Sequence, residues 1–323
     1  MSQGRVDKLQ DQREKASSDY HDPVMVAEVM QYLVGDLNGT YIDATLGGAG
    51  HTSVLLNQLS EEAVVIGLDR DADAHRAAAK RIGNDSRFIA VHGAFSEIAS
   101  FADEHSIRGC DGILADLGVS SYQLDTAERG FSFMKEGPLD LRMNRDGGQT
   151  VAELLSGVDE KDLADIIYKF GEERKSRHIA RVIVRERKIN PIHMTQDLVR
   201  LLDAHLPAKN RIKSIARVFQ ALRIYVNDEL GQLETFLRTS FDLLNSGGRL
   251  VVLTYHSLED RLTKQFIAEK TRGCICPKEI PVCVCGHEPE GKSLIRKVIT
   301  AQSDEVQRNP RARSAKLRAI EKI

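Results

Sequence analysis

The segment Tyr41-Ile42-Asp43-Ala44-Thr45-Leu46-Gly47-Gly48-Ala49-Gly50-His51 carries the clearest structural signal in this chain of 323 residues. Residues 41–45 predict a β-strand, the glycines predict a loop, and residues 51–59 predict a helix. Glycines let the backbone approach a ligand, and the N-terminus of the following helix offers N–H donors. The loop has neither the Gly-Lys-Ser/Thr of a Walker loop nor the dinucleotide GxGxxG spacing. The segment therefore predicts an α/β domain with a ligand over this loop.

The pattern on either side of this segment predicts a Rossmann-like α/β sheet. Further strands are predicted at 63–68, 88–92, 112–116 and 249–255, and helices at 72–82, 96–104, 215–244 and 259–270. Strands separated by helices imply right-handed βαβ units and a parallel sheet. Segments 294–301 and 315–321 are predicted to pair as an antiparallel edge. We expect one domain from residues 21–125 and 215–323, a helical insertion at 126–214 after the fourth strand, and a disordered tail at 1–20.

Composition indicates a globular cytoplasmic protein. Hydrophobic residues make up 41% and charged residues 28%, and no apolar run approaches the roughly 20 residues of a membrane helix. The N-terminal residues are polar, without the apolar core of a secretory signal. Four of the five cysteines lie in one short segment. We therefore do not expect a disulfide scaffold, and we expect the protein to work in a reducing cytoplasm.

Positive charge is concentrated in two segments although the net charge is −2. Residues 174–223 contain 13 Lys or Arg and 3 Asp or Glu, and residues 291–323 contain 9 and 3. Such segments are typical of surfaces that bind phosphate backbones. They are equally typical of helices whose lysines and arginines simply face solvent.

Three candidate site residues follow predicted strands. Asp69 ends the second strand and can accept the ribose hydroxyls of a nucleoside, or it can cap the next helix, a role that Asp71 could also fill. Phe95 follows the third strand and can stack on adenine or belong to the core. Asp116 ends the fourth strand, where its carboxylate can accept a hydrogen bond from an amine or hold its own loop. Ligands of open α/β sheets lie at this edge.

Two other motifs have ordinary structural explanations. In the segment Tyr255–Arg261, Ser257 followed by Asp260 fits a helix N-cap. His256 could be a base, a phosphate contact or a structural histidine, and we favour the last. Cys274, Cys276, Cys283 and Cys285 could bind zinc. Residues i and i+2 of an extended chain point to opposite sides, so we favour a loop of reduced thiols and assign no metal ligand.

Together the motifs resemble those of the bacterial small-subunit ribosomal RNA cytosine-N4 methyltransferases, from His21 to the C-terminus. The similar segments are 21–24, 43–51, 69–71, 116–125, 128–133, 137–142, 171–174, 219–224, 256–261 and 309–314. The resemblance implies methylation of a cytidine in the ribosomal P-site region. It implies that the partner is small-subunit RNA within the subunit, and that no membrane is involved. It also implies S-adenosylmethionine as cofactor, bound by Ala49, Gly50, His51, Asp69, Phe95, Asp116 and Gln123. Ala49 replaces the family's usual glycine, but the neighbouring glycines should preserve the turn. The resemblance leaves metal binding by the cysteines open.

The chemistry of cytosine N4 suggests roles for three residues. The N4 lone pair is delocalised into the ring, so the protein has to align the amine with the methyl group and exclude water. We expect Asp116 to contact both cofactor and amine, and Ser120 or Asp140 to help hold the base. The Asp/Asn-Pro-Pro-aromatic motif of many amino-methyltransferases is absent from this position. Two alternatives are methylation of another acceptor and a non-catalytic, cofactor-sensing assembly factor. The glycine spacing disfavours a nicotinamide dehydrogenase.

Overall fold

The computed structural model describes residues 23–277, 282 and 284–323. The predicted tail 1–20, the residues His21 and Asp22, and Cys283 lie outside the described residues. The chain forms two compact units. The sheet unit comprises the residues up to Gly118 and Gln232–Ile323, and the helical unit comprises Val119–Gly231. Of the helices described, none has both the length and the apolar character to cross a membrane.

The sheet unit alternates strands and helices as predicted. Its elements are α1 Val26–Leu33, β1 Thr40–Asp43, α2 Gly50–Gln58, β2 Val64–Asp69, α3 Ala72–Ile82, β3 Phe88–His92, α4 Ile98–Glu104, β4 Cys110–Asp116, most of α11 Glu229–Leu243, β5 Leu244–Thr254, α12 Ser257–Lys270, β6 Gly291–Ser293, β7 Ile299–Thr300, α13 Ser303–Arg308 and β8 Lys316–Lys322. The helical unit contains α5 Ser121–Asp125, α6 Val151–Gly157, α7 Glu160–Gly171, α8 Ser176–Glu186, α9 Thr195–His205 and α10 Arg211–Val226.

The strands form one sheet in the order β3-β2-β1-β4-β5-β8-β6, with β7 also paired to β8. The first five strands are parallel, and β8 runs antiparallel to β5, β6 and β7. This confirms the predicted Rossmann-like α/β class with a helical segment after the fourth strand. Because β1 lies between β2 and β4, the carboxyl ends of these three strands are neighbours at one edge.

Both faces of the sheet are buried, which explains the continuous apolar character of the strands. Successive side chains of a strand point to opposite faces. Tyr41 and Val65 pack with α1 and α2 on one face, whereas Ile42 and Ile66 pack with α4 and α11 on the other.

The helical unit has its own core, built from amphipathic helices. In α8, Ile179 and Ile183 are buried in that core, while Arg177, Arg181 and Arg185 are exposed on the opposite side. Residues from 139 to 222 contribute to the core, including Phe219 of α10. Both predicted insertion boundaries, 126 and 214, therefore lie inside this unit, because α5 and α10 belong to it.

Two predicted elements were wrong in detail. The single helix 215–244 is two helices, α10 and α11, separated at Asn227 and Asp228. Asn227 Nδ2 donates to the carbonyl of Leu141 (2.8 Å), its Oδ1 accepts from the amide of Met143 (2.8 Å), and Asp228 has a left-handed φ of 45°. The edge segment 294–301 is not one strand, because only 299–300 of it pairs with β8, and β6 ends at Ser293.

Candidate functional site

Asp69 links the end of β2 to the glycine loop. Its Oδ2 accepts a hydrogen bond from the amide of Gly47 (2.8 Å), and its Oδ1 accepts one from the amide of Asp71 (2.9 Å). A carboxylate has about four acceptor positions, so two remain for ribose hydroxyls. Burial raises the pKa of Asp69, although the two amide bonds oppose that rise. Helix α3 is capped instead by Asp71, whose side chain accepts from the amide of Asp73 (3.0 Å).

The glycine loop contains one strained residue. Gly47 has a φ of 49°, which glycine adopts without cost. Ala49 has a φ of 56° and precedes α2 as its N-cap, so it takes the left-handed conformation itself rather than relying on its glycine neighbours. That conformation costs a non-glycine residue about 1–2 kcal/mol. The Ala49 methyl group is fully buried in a small cluster with Leu46 and Ala78.

The side chain of His51 is buried and held on both sides. Its Nε2 lies 2.9 Å from the carbonyl oxygen of Val24, which can only accept, so Nε2 carries a proton. Its Nδ1 lies 3.6 Å from Asp116 Oδ2. The prediction that His51 contacts the cofactor therefore concerns its backbone, at the start of α2.

Asp116 is positioned by residues that follow two other strands, β1 and β5. Its Oδ1 accepts a 2.7 Å hydrogen bond from the hydroxyl of Tyr255, and its backbone amide donates to Thr45 Oγ1 (2.6 Å). The side chain is 23% exposed. Burial raises the pKa of Asp116, while His51 and the Tyr255 hydroxyl oppose that rise. Asp116 thus combines fixed orientation, partial access and greater basicity than an ordinary aspartate.

Asp43 is a further acidic group at this edge of the sheet, to which the sequence analysis gave no role. It is buried, and its Oδ2 accepts from the hydroxyl of Thr52 (2.6 Å) while its Oδ1 accepts from the amide of Thr45 (3.2 Å). Burial raises the pKa of Asp43, although these hydrogen bonds and His51 lower it. Asp43 therefore fixes the glycine loop against the first turn of α2.

Tyr255 also received no role from the sequence, although it is the first residue of the motif Tyr255–Arg261. Its partner Asp116 is 139 residues away in the chain. Burial, together with the nearby Asp116 carboxylate, raises the pKa of Tyr255 well above its ordinary value. Tyr255 therefore remains a hydrogen-bond donor at any ordinary pH. Its position as an aromatic residue at the end of a strand, within a candidate motif, was the only available signal.

Phe95 lies in a 3₁₀ turn after β3 and is half-buried. Its ring packs edge-on against Phe236 of α11, with ring centroids 5.2 Å apart. This contact fits the core interpretation and leaves part of the ring exposed. Stacking on adenine stays a prediction.

The remaining predicted site residues lie in the helical unit, and each has a local partner. The hydroxyl of Ser120 accepts from the amide of Gln123 (3.2 Å), and Gln123 Oε1 accepts from the amide of Ser120 (3.1 Å). The two residues thus form the capping box of α5. Asp140 is buried and paired with Arg142 at 2.7 and 3.2 Å. These contacts explain the positions of all three residues without a ligand.

The segment 256–261 starts helix α12, but its cap is not the predicted one. His256 is the N-cap residue, and Glu259 Oε2 accepts from the amides of Tyr255 (2.9 Å) and His256 (3.3 Å). The Asp260 carboxylate instead accepts hydrogen bonds from the side chains of Arg318 (2.7 Å) and Lys316 (3.0 Å), which lie in β8. The structural interpretation of His256 agrees with this arrangement.

Known proteins similar to this chain are methylases. A model of the MraW methylase family matches residues 18–323. A protein of Geobacter sulfurreducens named ribosomal RNA small subunit methyltransferase H is 48% identical over 307 residues, which cover 94% of this chain and 99% of that protein. A protein of the same name from Heliobacterium modesticaldum is 44% identical over 309 residues, with 94% and 99% covered. The solved structure of an rRNA methylase from Streptococcus thermophilus aligns with this chain at 10% identity and a TM-score of 0.40. The alignment covers 92% of this chain and 93% of the chain of that methylase.

Proposed function

Because this chain belongs to the MraW methylase family, we propose that it methylates the N4 amine of a cytidine in the P-site region of small-subunit ribosomal RNA. The family match confirms the predicted methyltransferase class and S-adenosylmethionine as the methyl donor. The proposal rests chiefly on the carboxylates of Asp69 and Asp116, which end β2 and β4 on either side of the glycine loop that follows β1.

The residues at this edge suit a nucleoside ligand. Asp69 retains acceptor positions for two ribose hydroxyls, and the loop from Gly47 to Gly50 leads into the N-terminus of α2. Bound S-adenosylmethionine supplies a methyl group already activated on a sulfonium. We assign its ribose to Asp69 and its backbone contacts to Ala49, Gly50 and His51. Phe95 and Gln123 stay predicted contacts.

Asp116 is assigned to the target amine. Its Oδ1 is held by Tyr255, and its partial exposure leaves room to accept an N4–H hydrogen bond. This bond orients the amine and opposes delocalisation of its lone pair into the ring. Methylation of an amine releases one proton, and a carboxylate whose pKa is raised is a suitable acceptor for it. Asp116 is therefore the proposed catalytic residue.

Ser120 and Asp140 receive positioning roles in this proposal. Ser120 holds α5 through its capping box with Gln123, and the Asp140 carboxylate is engaged by Arg142. Both oxygens of the Asp140 carboxylate accept from Arg142, which leaves them less available to a bound base. We therefore assign Ser120 and Asp140 to shaping the loops of the helical unit.

We assign docking of the RNA backbone to a basic stripe on α8 and the residues after it, consisting of Arg177, Arg181, Arg185 and Lys188. All four are exposed. Arg177 pairs with Asp165 (2.6 Å) and Arg181 pairs with Glu160 (3.4 Å), which partly neutralises the first two. Arg185 and Lys188 are thus the stronger candidates for phosphate contacts. We place the reaction in the cytoplasm, on RNA within the small subunit.

The proposal is tested by methyl transfer from labelled S-adenosylmethionine to small subunits from a strain that lacks this enzyme. Digestion of the RNA to nucleosides should place the label on N4-methylcytidine. Label on another nucleoside would show that a different base is the acceptor. Cofactor binding without any transfer would favour the non-catalytic assembly factor.

A further inference from the structure

The loop between α12 and β6 brings three cysteine sulfurs together. The Sγ atoms of Cys274, Cys276 and Cys285 all lie within 4.8 Å of one another. Cys285 Sγ is 3.8 Å from Cys274 Sγ. A disulfide needs about 2.0 Å, so these two sulfurs are not bonded to each other. We propose that Cys274, Cys276 and Cys285 bind a zinc ion, at a site separate from the methyltransferase edge of the sheet.

The sulfur geometry supports this assignment. Zinc–thiolate bonds are about 2.3 Å long and zinc prefers tetrahedral coordination, which places pairs of sulfur ligands about 3.8 Å apart. The Cys274–Cys285 distance equals that value. The amide of Val284 also donates to Cys276 Sγ at 3.5 Å, and backbone N–H donors stabilise the thiolate charge of metal ligands.

The conformation of the loop also allows Cys274 and Cys276 to bind one ion, which the sequence analysis had disfavoured. Cys-x-Cys is a poor chelate only if the chain is extended. The described residues of this loop contain bends and no strand, so Cys274 and Cys276 are not forced to opposite sides. Three thiolates fill three positions of a tetrahedral ion. The fourth cysteine of the segment, Cys283, lies outside the described residues.

The apolar side chains in the described part of this loop are poorly buried. The side chains of Ile275, Val282 and Val284 are 56%, 70% and 76% exposed. Its base is tied by the amide of Glu290 to the carbonyl of Lys270 (2.9 Å) and by the ion pair of the same two residues (2.6 Å). A metal ion that crosslinks Cys274, Cys276 and Cys285 would supply the order that burial does not.

Metal content of the full chain tests this proposal directly. The protein is purified without a metal-affinity step, and its zinc is measured by mass spectrometry. We expect about one zinc per chain, and loss of that zinc in Cys274→Ser and Cys285→Ser. Cys110→Ser is the matched control, because Cys110 is buried in the sheet unit beside the carbonyl of Leu243 (3.7 Å), and it should retain zinc.

Two readouts keep the test independent of folding defects in the variants. Cobalt added to the metal-free parent protein should give the visible bands of a tetrahedral thiolate site. Zinc should also slow trypsin cleavage after the exposed residue Arg272 by about tenfold or more, because metal binding suppresses opening of the loop. Parent protein with no more zinc than Cys274→Ser, or without cobalt bands, would overturn the proposal.

Discussion

The hydroxyl of Tyr255 at the end of β5 donates a 2.7 Å hydrogen bond to Asp116 Oδ1 at the end of β4. His51 Nδ1 lies 3.6 Å from the other oxygen of the same carboxylate. These two contacts fix the orientation of Asp116 and oppose the rise in its pKa that burial causes. The catalytic proposal can therefore be tested by changing Asp116 and its support separately.

Asp116→Asn should reduce methyl transfer by about 100-fold or more, since the amide cannot accept the released proton. The fold should survive, because asparagine has nearly the same shape and its side-chain oxygen can still accept from Tyr255. Transfer to small subunits by the purified variant gives the result. Near-wild-type transfer would remove Asp116 from the mechanism.

The same variant should be at least as stable as the parent at neutral pH. The pKa of Asp116 is raised in the folded state, so its favourable contribution is present below its unfolded pKa and is lost as pH rises through the folded value. At neutral pH the buried charge costs stability, and asparagine removes that cost. Thermal melts should show a Tm advantage of Asp116→Asn at pH 7 that shrinks as the pH is lowered. A Tm at pH 7 below that of the parent would contradict the assigned direction.

Tyr255→Phe should move the acid limb of the pH profile of kcat/KM to higher pH. The lost hydrogen bond stabilises the ionised form of Asp116, so its removal raises the Asp116 pKa further. Activity then falls sooner as pH is lowered. Tyr32→Phe serves as the control, because Tyr32 lies in α1 and is not among the groups that act on the Asp116 carboxylate, so its profile should not move. An unchanged profile for Tyr255→Phe would separate Tyr255 from the titration of Asp116.

Ala49→Gly should stabilise the protein by about 1 kcal/mol, because glycine relieves the left-handed strain at φ 56°. In a unit of this size that corresponds to a rise in Tm of about 2–4 °C. Ala44→Gly is the matched control. Ala44 is equally buried but has no positive φ, so the same change should destabilise the protein. Calorimetric melts should therefore show changes in Tm of opposite sign for the two variants. Destabilisation of similar size at both positions would show that Ala49 is not strained.

Local sequence signals predicted the elements that carry the site, but not the contacts between them. The bounds of α3 and β3 are those expected, because Asp71 caps the helix and a β-branched run forms the strand. The break between α10 and α11 was missed because Asn227 is held by Leu141 and Met143, more than 80 residues earlier. The Tyr255–Asp116 bond was missed for the same reason. Likewise Asp140 could be placed in a motif, but its pairing with Arg142 required the folded loop.

Replacing Arg185 and Lys188 by glutamine should weaken RNA binding and make it less dependent on salt. Each lost phosphate contact on single-stranded RNA reduces the slope of log K against log salt by about 0.7, so two reduce it by about 1.4. Replacing the exposed residues Arg238 and Lys264 by glutamine removes the same charge and is the control. This variant should have the same slope as the parent. Binding to small subunits at several salt concentrations gives both slopes. Equal slopes for parent and variant would exclude the basic stripe from docking.

Calorimetric titration of S-adenosylmethionine into Asp69→Asn and Asp71→Asn tests the cofactor site most directly. The two residues are close in sequence, but Asp69 is assigned to the ribose and Asp71 caps α3. We predict that Asp69→Asn weakens binding by about one to two powers of ten, from the loss of a charged acceptor, while Asp71→Asn binds nearly as the parent does. Unchanged affinity in a folded Asp69→Asn protein would contradict the account.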